Sequence, residues 1–232
     1  MSLDSVVSGV ARHGAAPLLR ALYRPRVLGA EHLPAEGGVI LACNHLSFCD
    51  SVLLPVVVPR PVAFIGKVEY FRARRPDRRL VGAFMRAMGT VPVDRAGGRA
   101  AAAAMGTSER VLREGRVFAI YPEGTRSPDG RLYRGRTGVA RLALATGAPV
   151  VPCAVAGTDR VQPPGARLPR PPWRSGRPTL RFGPPVAIGP RPARPNDAAV
   201  LRAVTDAVMA AIAELSGQEY VDAYAPGRAA AA

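Results

Sequence analysis

The chain has 232 residues, 48% hydrophobic and 21% charged, enough for one domain that buries roughly 70% of the surface its unfolded form exposes. Its 32 Lys plus Arg against 17 Asp plus Glu give a net charge of +15, so an anionic partner is expected. Three cysteines without a Cys-x-x-Cys spacing speak against a disulfide framework or a zinc site, and no apolar run approaches the roughly 20 residues of a membrane-spanning helix.

In chain order, residues 4–22 carry Val6, Val7, Val10, Leu18, Leu19 and Leu22 at helical spacing. They predict an amphipathic helix, either interfacial on a membrane or packed on the core. Asp4 precedes this stretch and Arg12, His13 and Arg20 interrupt it, which does not fit a secretory signal, so a cytoplasmic location is expected. Strands are predicted at 38–43, 61–65, 90–93, 117–121, 150–155 and 178–183, and helices at 50–57, 77–88, 97–113 and 136–146. Gly147 and Pro149 stop the last of these. Residues 157–178, rich in Pro, Arg and Gly, read as a long loop. A final helix is expected from Asn196 as N-cap to Gly217, its Val200, Leu201, Val204, Val208, Ile212 and Leu215 forming one apolar stripe. Alternating apolar strands and helices predict an α/β single domain with a largely parallel β-sheet flanked by helices. The divisions are an N-terminal helical segment, 1–25, a central domain, 26–217, and a C-terminal tail, 218–232.

Directly after the first strand stands Asn44-His45-Leu46-Ser47-Phe48-Cys49-Asp50. An imidazole accepts a proton near pH 7, and a carboxylate on its other nitrogen fixes the tautomer and stabilises the imidazolium. On a continuous helix, five residues would place the two side chains about 140° apart. The chain must therefore bend between His45 and Asp50 if they are to meet. The alternative is a strand-end histidine and a first-turn helix acid with no shared chemistry. Cys43 and Cys49 flank His45, but both sit where small buried hydrophobes are expected, which disfavours a cysteine nucleophile.

Three more blocks follow. They are Gly89-Thr90-Val91-Pro92-Val93-Asp94-Arg95, Ile120-Tyr121-Pro122-Glu123-Gly124-Thr125-Arg126-Ser127 and Val150-Val151-Pro152-Cys153-Ala154-Val155. In the third block of the chain, a glycine lets N–H groups approach an anion, Thr125 adds a hydroxyl and Arg126 a guanidinium fork, which together read as a phosphate cradle. A solvated arginine beside a turn glycine is the plainer reading. Lys67 is the only lysine, a compact point charge where a guanidinium fork is not interchangeable with it.

The four blocks in this order resemble the glycerophospholipid acyltransferase family over about residues 26–188, with 44–50 and 121–127 the most specific parts. The resemblance implies a glycerolphosphate acyltransferase-like fold for the central domain. It further implies catalysis by His45 and Asp50, and an acceptor glycerol-phosphate site formed by Arg95, Glu123, Gly124, Thr125 and Arg126, with Lys67 near the acceptor. Glu123 would either bind a glycerol hydroxyl or hold a neighbouring arginine. The implied reaction moves a fatty acyl group from acyl-CoA or acyl-carrier protein to a lysophospholipid, with 1-acylglycerol 3-phosphate favoured, and needs no metal or other cofactor. Tyr121 departs from the family's usual phenylalanine and adds a hydroxyl that requires a partner. Arg134-Gly135-Arg136 matches the family's aromatic and basic segment only loosely.

The expected partners are the acyl donor, the lysophospholipid acceptor and an anionic membrane surface. Attachment would be peripheral on the inner face of the cell membrane, with Arg72, Arg74, Arg75, Arg78, Arg79 and Arg86 as its contact. With only six Phe, six Tyr and one Trp, no stacking platform for nucleic acid is apparent, and none is expected as partner. A phosphate-binding module would leave His45 and Asp50 unexplained, and a thioester hydrolase would leave the two arginines without a purpose.

Overall fold

The computed structural model describes residues 16–68, 82, 90–93, 98–166, 168–189 and 197–226. Its centre is a seven-stranded sheet in the order β1 (Arg26–Leu28), β8 (Thr179–Phe182), β7 (Val150–Ala156), β2 (Val39–Cys43), β5 (Val117–Ile120), β3 (Val62–Lys67) and β4 (Thr90–Val93). From β7 to β4 every neighbouring pair is parallel, and β8 with β1 runs the other way. The predicted parallel α/β domain is therefore the observed one.

The five residues of β2 are at most 1% exposed, as expected for a strand covered on both faces. Val39, Leu41 and Cys43 point into a core with Leu54 and Val57 from α2 (Asp50–Val57) and Val58 just after it. Ile40 and Ala42 point the other way, against Val111 and Leu112 of α3 (Gly98–Arg113), Val139 and Leu142 of α4 (Gly138–Thr146), and Val208, Met209 and Ile212 of α7 (Ala198–Ser216). The loosely matching Gly135 has a packing reason. A Cβ there would lie 2.7 Å from Met209 Sδ and 3.1 Å from Thr205 Cγ2, so any larger residue would force the Met209 side chain to move for this segment to close on α7.

Four details depart from the sequence expectations. Asp197, not Asn196, caps α7: its carboxylate accepts from the N–H groups of Ala199 (2.8 Å) and Val200 (3.4 Å). The loop at 157–178 contains two short helices, α5 (Thr158–Val161) and α6 (Pro172–Ser175). β1 lacks a signal because only Val27 of its three residues is even partly buried. Residues 218–226, grouped with the tail, close onto the domain, where β9 (Tyr220–Val221) pairs with β6 (Leu132–Tyr133). Of the N-terminal helix, α1 (Ala16–Tyr23) is described and packs through Leu19 and Tyr23 on Cys49, Leu53 and Val161. Of the helix expected at 77–88 only Gly82 is described, in helical conformation, and the arginines of 72–79 and 86 lie outside the described residues.

Candidate active site

The blocks at 44–50 and 121–127 leave the sheet at the carboxyl ends of the adjacent parallel strands β2 and β5, where ligands gather in open α/β folds. β2 and β5 are in register with Ala42 opposite Ile120. His45 and Glu123 each stand three residues beyond that pair, and they meet: the His45 N–H donates to Glu123 Oε1 at 3.1 Å. Four residues further along the second loop the same residue is tied again, since the Ser127 N–H donates to the His45 carbonyl at 2.7 Å. The histidine turn is thus held on both sides of its own peptide by the second loop.

The bend required between His45 and Asp50 is present. Asp50 is fully buried, and its Oδ2 accepts from His45 Nδ1 (2.7 Å) and from the N–H groups of Leu46 (2.7 Å) and Ser47 (2.8 Å). Three donors on one oxygen fix the carboxylate, and the carboxylate in turn fixes the imidazole. Because Nδ1 is committed, Nε2 is the nitrogen available for proton transfer. The imidazole is 16% exposed, and its ring lies flat on Tyr121, with centroids 3.9 Å apart and planes 10° from parallel. The Tyr121 hydroxyl that departs from the family pattern pairs with Ser51 Oγ at 3.0 Å. Burial and the nearby Asp50 charge push its pKa upward, so it remains a phenol.

Glu123 is 2% exposed, and its second oxygen, Oε2, accepts from the Tyr133 N–H at 3.0 Å. The carboxylate is engaged by main chain on both oxygens, a bracing role that the sequence did not suggest. Burial raises its pKa to about 7 even though both hydrogen bonds act to lower it. Gly124 then turns the chain at φ +75°, a value that favours glycine, with the side chain of Arg136 3.1 Å from where a Cβ would stand. Thr125 and Arg126 follow on this loop, both partly exposed. Arg136 lies over the Tyr224 ring at 5.0 Å, so a residue from the supposed tail packs on the side chain that borders Gly124.

The structure thus brings Asp50 and Glu123 each into contact with His45 and sets Gly124, Thr125 and Arg126 directly after Glu123 on the same loop. Lys67 is the last residue of β3, paired through its main chain with Val93; its side chain, like Arg95, lies outside the described residues. Asn44 was overlooked in sequence. Its side-chain amide binds the N–H (2.7 Å) and the C=O (3.0 Å) of Val155 and the Gln218 side chain (2.6 Å), extending the β2–β7 ladder by one residue. Its position one residue ahead of His45, at a strand end, was the available signal.

The cysteines take no part. All three are free and buried, and burial with the Asp50 charge pushes Cys49 up to about 12, where the thiol stays protonated. What remains is an imidazole aligned by a buried carboxylate and tied to the Glu123–Ser127 loop. A sequence model of the acyltransferase family matches residues 24–156, which include both.

The chain belongs to the acyltransferase family. It is 32% identical over 134 residues to the 1-acyl-sn-glycerol-3-phosphate acyltransferase of Bacillus subtilis, covering 57% of this chain and 62% of that protein. A chloroplastic 1-acyl-sn-glycerol-3-phosphate acyltransferase of Brassica napus is 30% identical over 158 residues, 68% of this chain and 44% of its own length. The crystal structure of the 1-acyl-sn-glycerophosphate acyltransferase PlsC from Thermotoga maritima superposes with a TM-score of 0.63 at 25% identity, covering 92% of this chain and 79% of that one. The chain therefore spans less than two thirds of the length of these two sequence relatives. The acyltransferase fold expected from the four blocks is the one found.

Proposed function

We propose that this acyltransferase moves a fatty acyl group from a thioester donor, acyl-CoA or acyl-carrier protein, to the free hydroxyl of 1-acylglycerol 3-phosphate, giving phosphatidic acid. The observation that carries the reading is the 2.7 Å contact of His45 Nδ1 with a buried carboxylate, which leaves Nε2 as a base beside the Gly124–Arg126 loop. Nε2 takes the proton of the acceptor hydroxyl as its oxygen attacks the thioester carbonyl. The tetrahedral intermediate then expels the thiolate, and the imidazolium returns the proton to it. Asp50 holds the tautomer and balances the imidazolium charge throughout. The thioester is already activated, so no covalent enzyme intermediate is required.

Arg126 and Arg95 would hold the acceptor phosphate, with Lys67 nearby. A phosphate monoester carries nearly two charges at neutral pH, and two guanidinium groups suit it better than a diester with one. The names of the relatives support the same acceptor. No helix among the described residues is long and apolar enough to cross a membrane. With a net charge of +15, attachment to an anionic bilayer would be peripheral and weakened by salt.

The test is thiol release from acyl-CoA by pure protein, with and without lysophosphatidic acid, followed by competition among acceptors. Release that needs the monoester acceptor supports the reading. Equal use of lysophosphodiesters or lyso-aminolipids would withdraw the phosphatidate assignment, and release without any acceptor would make the protein a hydrolase.

A further inference from the structure

α7 ends at Ser216, and Gly217 turns the chain in the left-handed region at φ +67°. The turn is fastened on both sides: the Gly217 N–H donates to the Ala213 carbonyl at 2.8 Å, and the Gln218 N–H donates to Ser216 Oγ at 3.2 Å. One residue on, the Glu219 carbonyl accepts from the Leu132 N–H at 2.9 Å, where β9 joins β6. Held between these anchors, the Gln218 side chain uses both ends of its amide. Oε1 accepts from Asn44 Nδ2 at 2.6 Å, and Nε2 donates to the Gly130 carbonyl at 2.5 Å.

These two partners lie on the two loops that meet at His45. Asn44 directly precedes it and is fully buried, with Nδ2 also donating to the Val155 carbonyl at 3.0 Å. On the other loop, the Gly130 N–H donates to Ser127 Oγ at 2.9 Å, and the Ser127 N–H donates to the His45 carbonyl at 2.7 Å. The bonds close on themselves, from Gln218 to Asn44, along the chain to His45, across to Ser127, on to Gly130 and back to Gln218. Every other member belongs to one of the two loops, so this single side chain from beyond α7 completes the circuit. Without it, a buried Asn44 N–H next to His45 would lose its partner, and the turn at 127–130 would lose its tether.

The circuit fixes the His45 main chain against the loop that carries Gly124, Thr125 and Arg126. Asp50 cannot do this, because its carboxylate bonds all stay within residues 45–50. With His45 as base and the Gly124–Arg126 loop at the acceptor phosphate, that separation decides whether Nε2 reaches the acceptor hydroxyl. A misplacement of about 1 Å in such an arrangement costs on the order of 100-fold in rate.

We infer that Gln218 is a positioning residue for acyl transfer, holding the His45 turn and the 123–130 loop at one separation by closing this circuit. The inference rests on the proposed roles of His45 and of the Gly124–Arg126 loop.

Gln218→Met nearly keeps the length of the side chain and removes both hydrogen bonds. Gln218→Glu keeps an acceptor for Asn44 and can donate to the Gly130 carbonyl only while its carboxyl is protonated. With full-length protein, acyl-CoA and lysophosphatidic acid, Gln218→Met should lower kcat by about tenfold or more and leave the KM of acyl-CoA unchanged. As pH is lowered from 8 to 6, the kcat of Gln218→Glu relative to wild type should climb, because the carboxyl gains the proton it needs, while the ratio for Gln218→Met stays flat. A side chain that merely fills space would give two flat ratios. That result, or a folded Gln218→Met with a smaller loss of kcat, would overturn the assignment; if Gln218→Met does not fold, the ratio for Gln218→Glu decides alone. Hydrogen exchange gives a readout that needs no turnover: the His45 and Ser127 amides should exchange about tenfold faster than in wild type in Gln218→Met, or in Gln218→Glu at pH 8, while those of β2 stay protected. If wild type transfers nothing, the functional reading fails, and unchanged protection at His45 and Ser127 would separately refute the circuit.

Discussion

Replacing Asp50 by asparagine isolates the charge that the His45 turn is built around. The amide oxygen can occupy the Oδ2 position and keep its three donors, His45 Nδ1, Leu46 N and Ser47 N. The amide nitrogen then occupies the Oδ1 position, where no protein hydrogen-bond partner is found. An unsatisfied buried donor costs about 1–3 kcal/mol of stability, which a domain of this size tolerates. The loss in turnover is larger. Unit charges about 4 Å apart attract by ~4 kcal/mol at an effective dielectric of about 20, and each 1.36 kcal/mol is tenfold in rate. The imidazolium formed during transfer loses that support, so Asp50→Asn should lower kcat about a thousandfold. Thiol release at saturating acceptor, alongside circular dichroism and thermal unfolding, is the assay. A folded Asp50→Asn protein with kcat within tenfold of wild type would show that the carboxylate does not act through the imidazole.

Glu123 predicts a pH effect on stability. Its pKa of about 7 against an ordinary 4.5 means the native protein keeps a proton that the unfolded chain has released, so stability falls as pH rises from about 4.5 to 7. Glu123→Gln should flatten that slope by about 3 kcal/mol across the window in urea unfolding; an unchanged slope would place the titration elsewhere. Tyr121→Phe loses only the contact with Ser51 and should keep activity within about threefold, whereas Tyr121→Leu removes the ring beneath His45 and should cost up to about tenfold. Equal kcat values for the two variants would dismiss the stack. Arg126→Ala should lower kcat/KM for the acceptor by 10- to 100-fold, from a charge-assisted contact of about 1.5–3 kcal/mol, and leave the KM of the acyl donor unchanged. An unchanged acceptor KM and kcat would refute the phosphate assignment.

The buried parallel strands and the helices between them were legible because continuous apolar runs and 3.6-residue stripes are written locally. The His45–Asp50 contact was legible in conditional form, since on a helix the two side chains stand about 140° apart and can meet only across a bend. The bracing of the site was not. Glu123 reaches the His45 N–H only through the Ala42–Ile120 register, and Gln218 reaches Asn44 across 174 positions. Such partners are set by how strands pair and how the chain returns, which no local pattern carries. β6 and β9, two residues each, are too short for any periodicity to reveal. Tyr121 lies between: a buried hydroxyl needs a partner wherever it stands, but that the partner is Ser51 follows from the packing of α2.

The central claim is that His45 is the general base for transfer to a lysophospholipid hydroxyl. Its most direct measurement compares wild type with His45→Ala for thiol release from acyl-CoA in the presence of lysophosphatidic acid, with product lipid followed in parallel. The account predicts acceptor-dependent release and phosphatidic acid for wild type, and almost none of either for a His45→Ala protein that melts as wild type does. Near-normal turnover by the folded variant would contradict it.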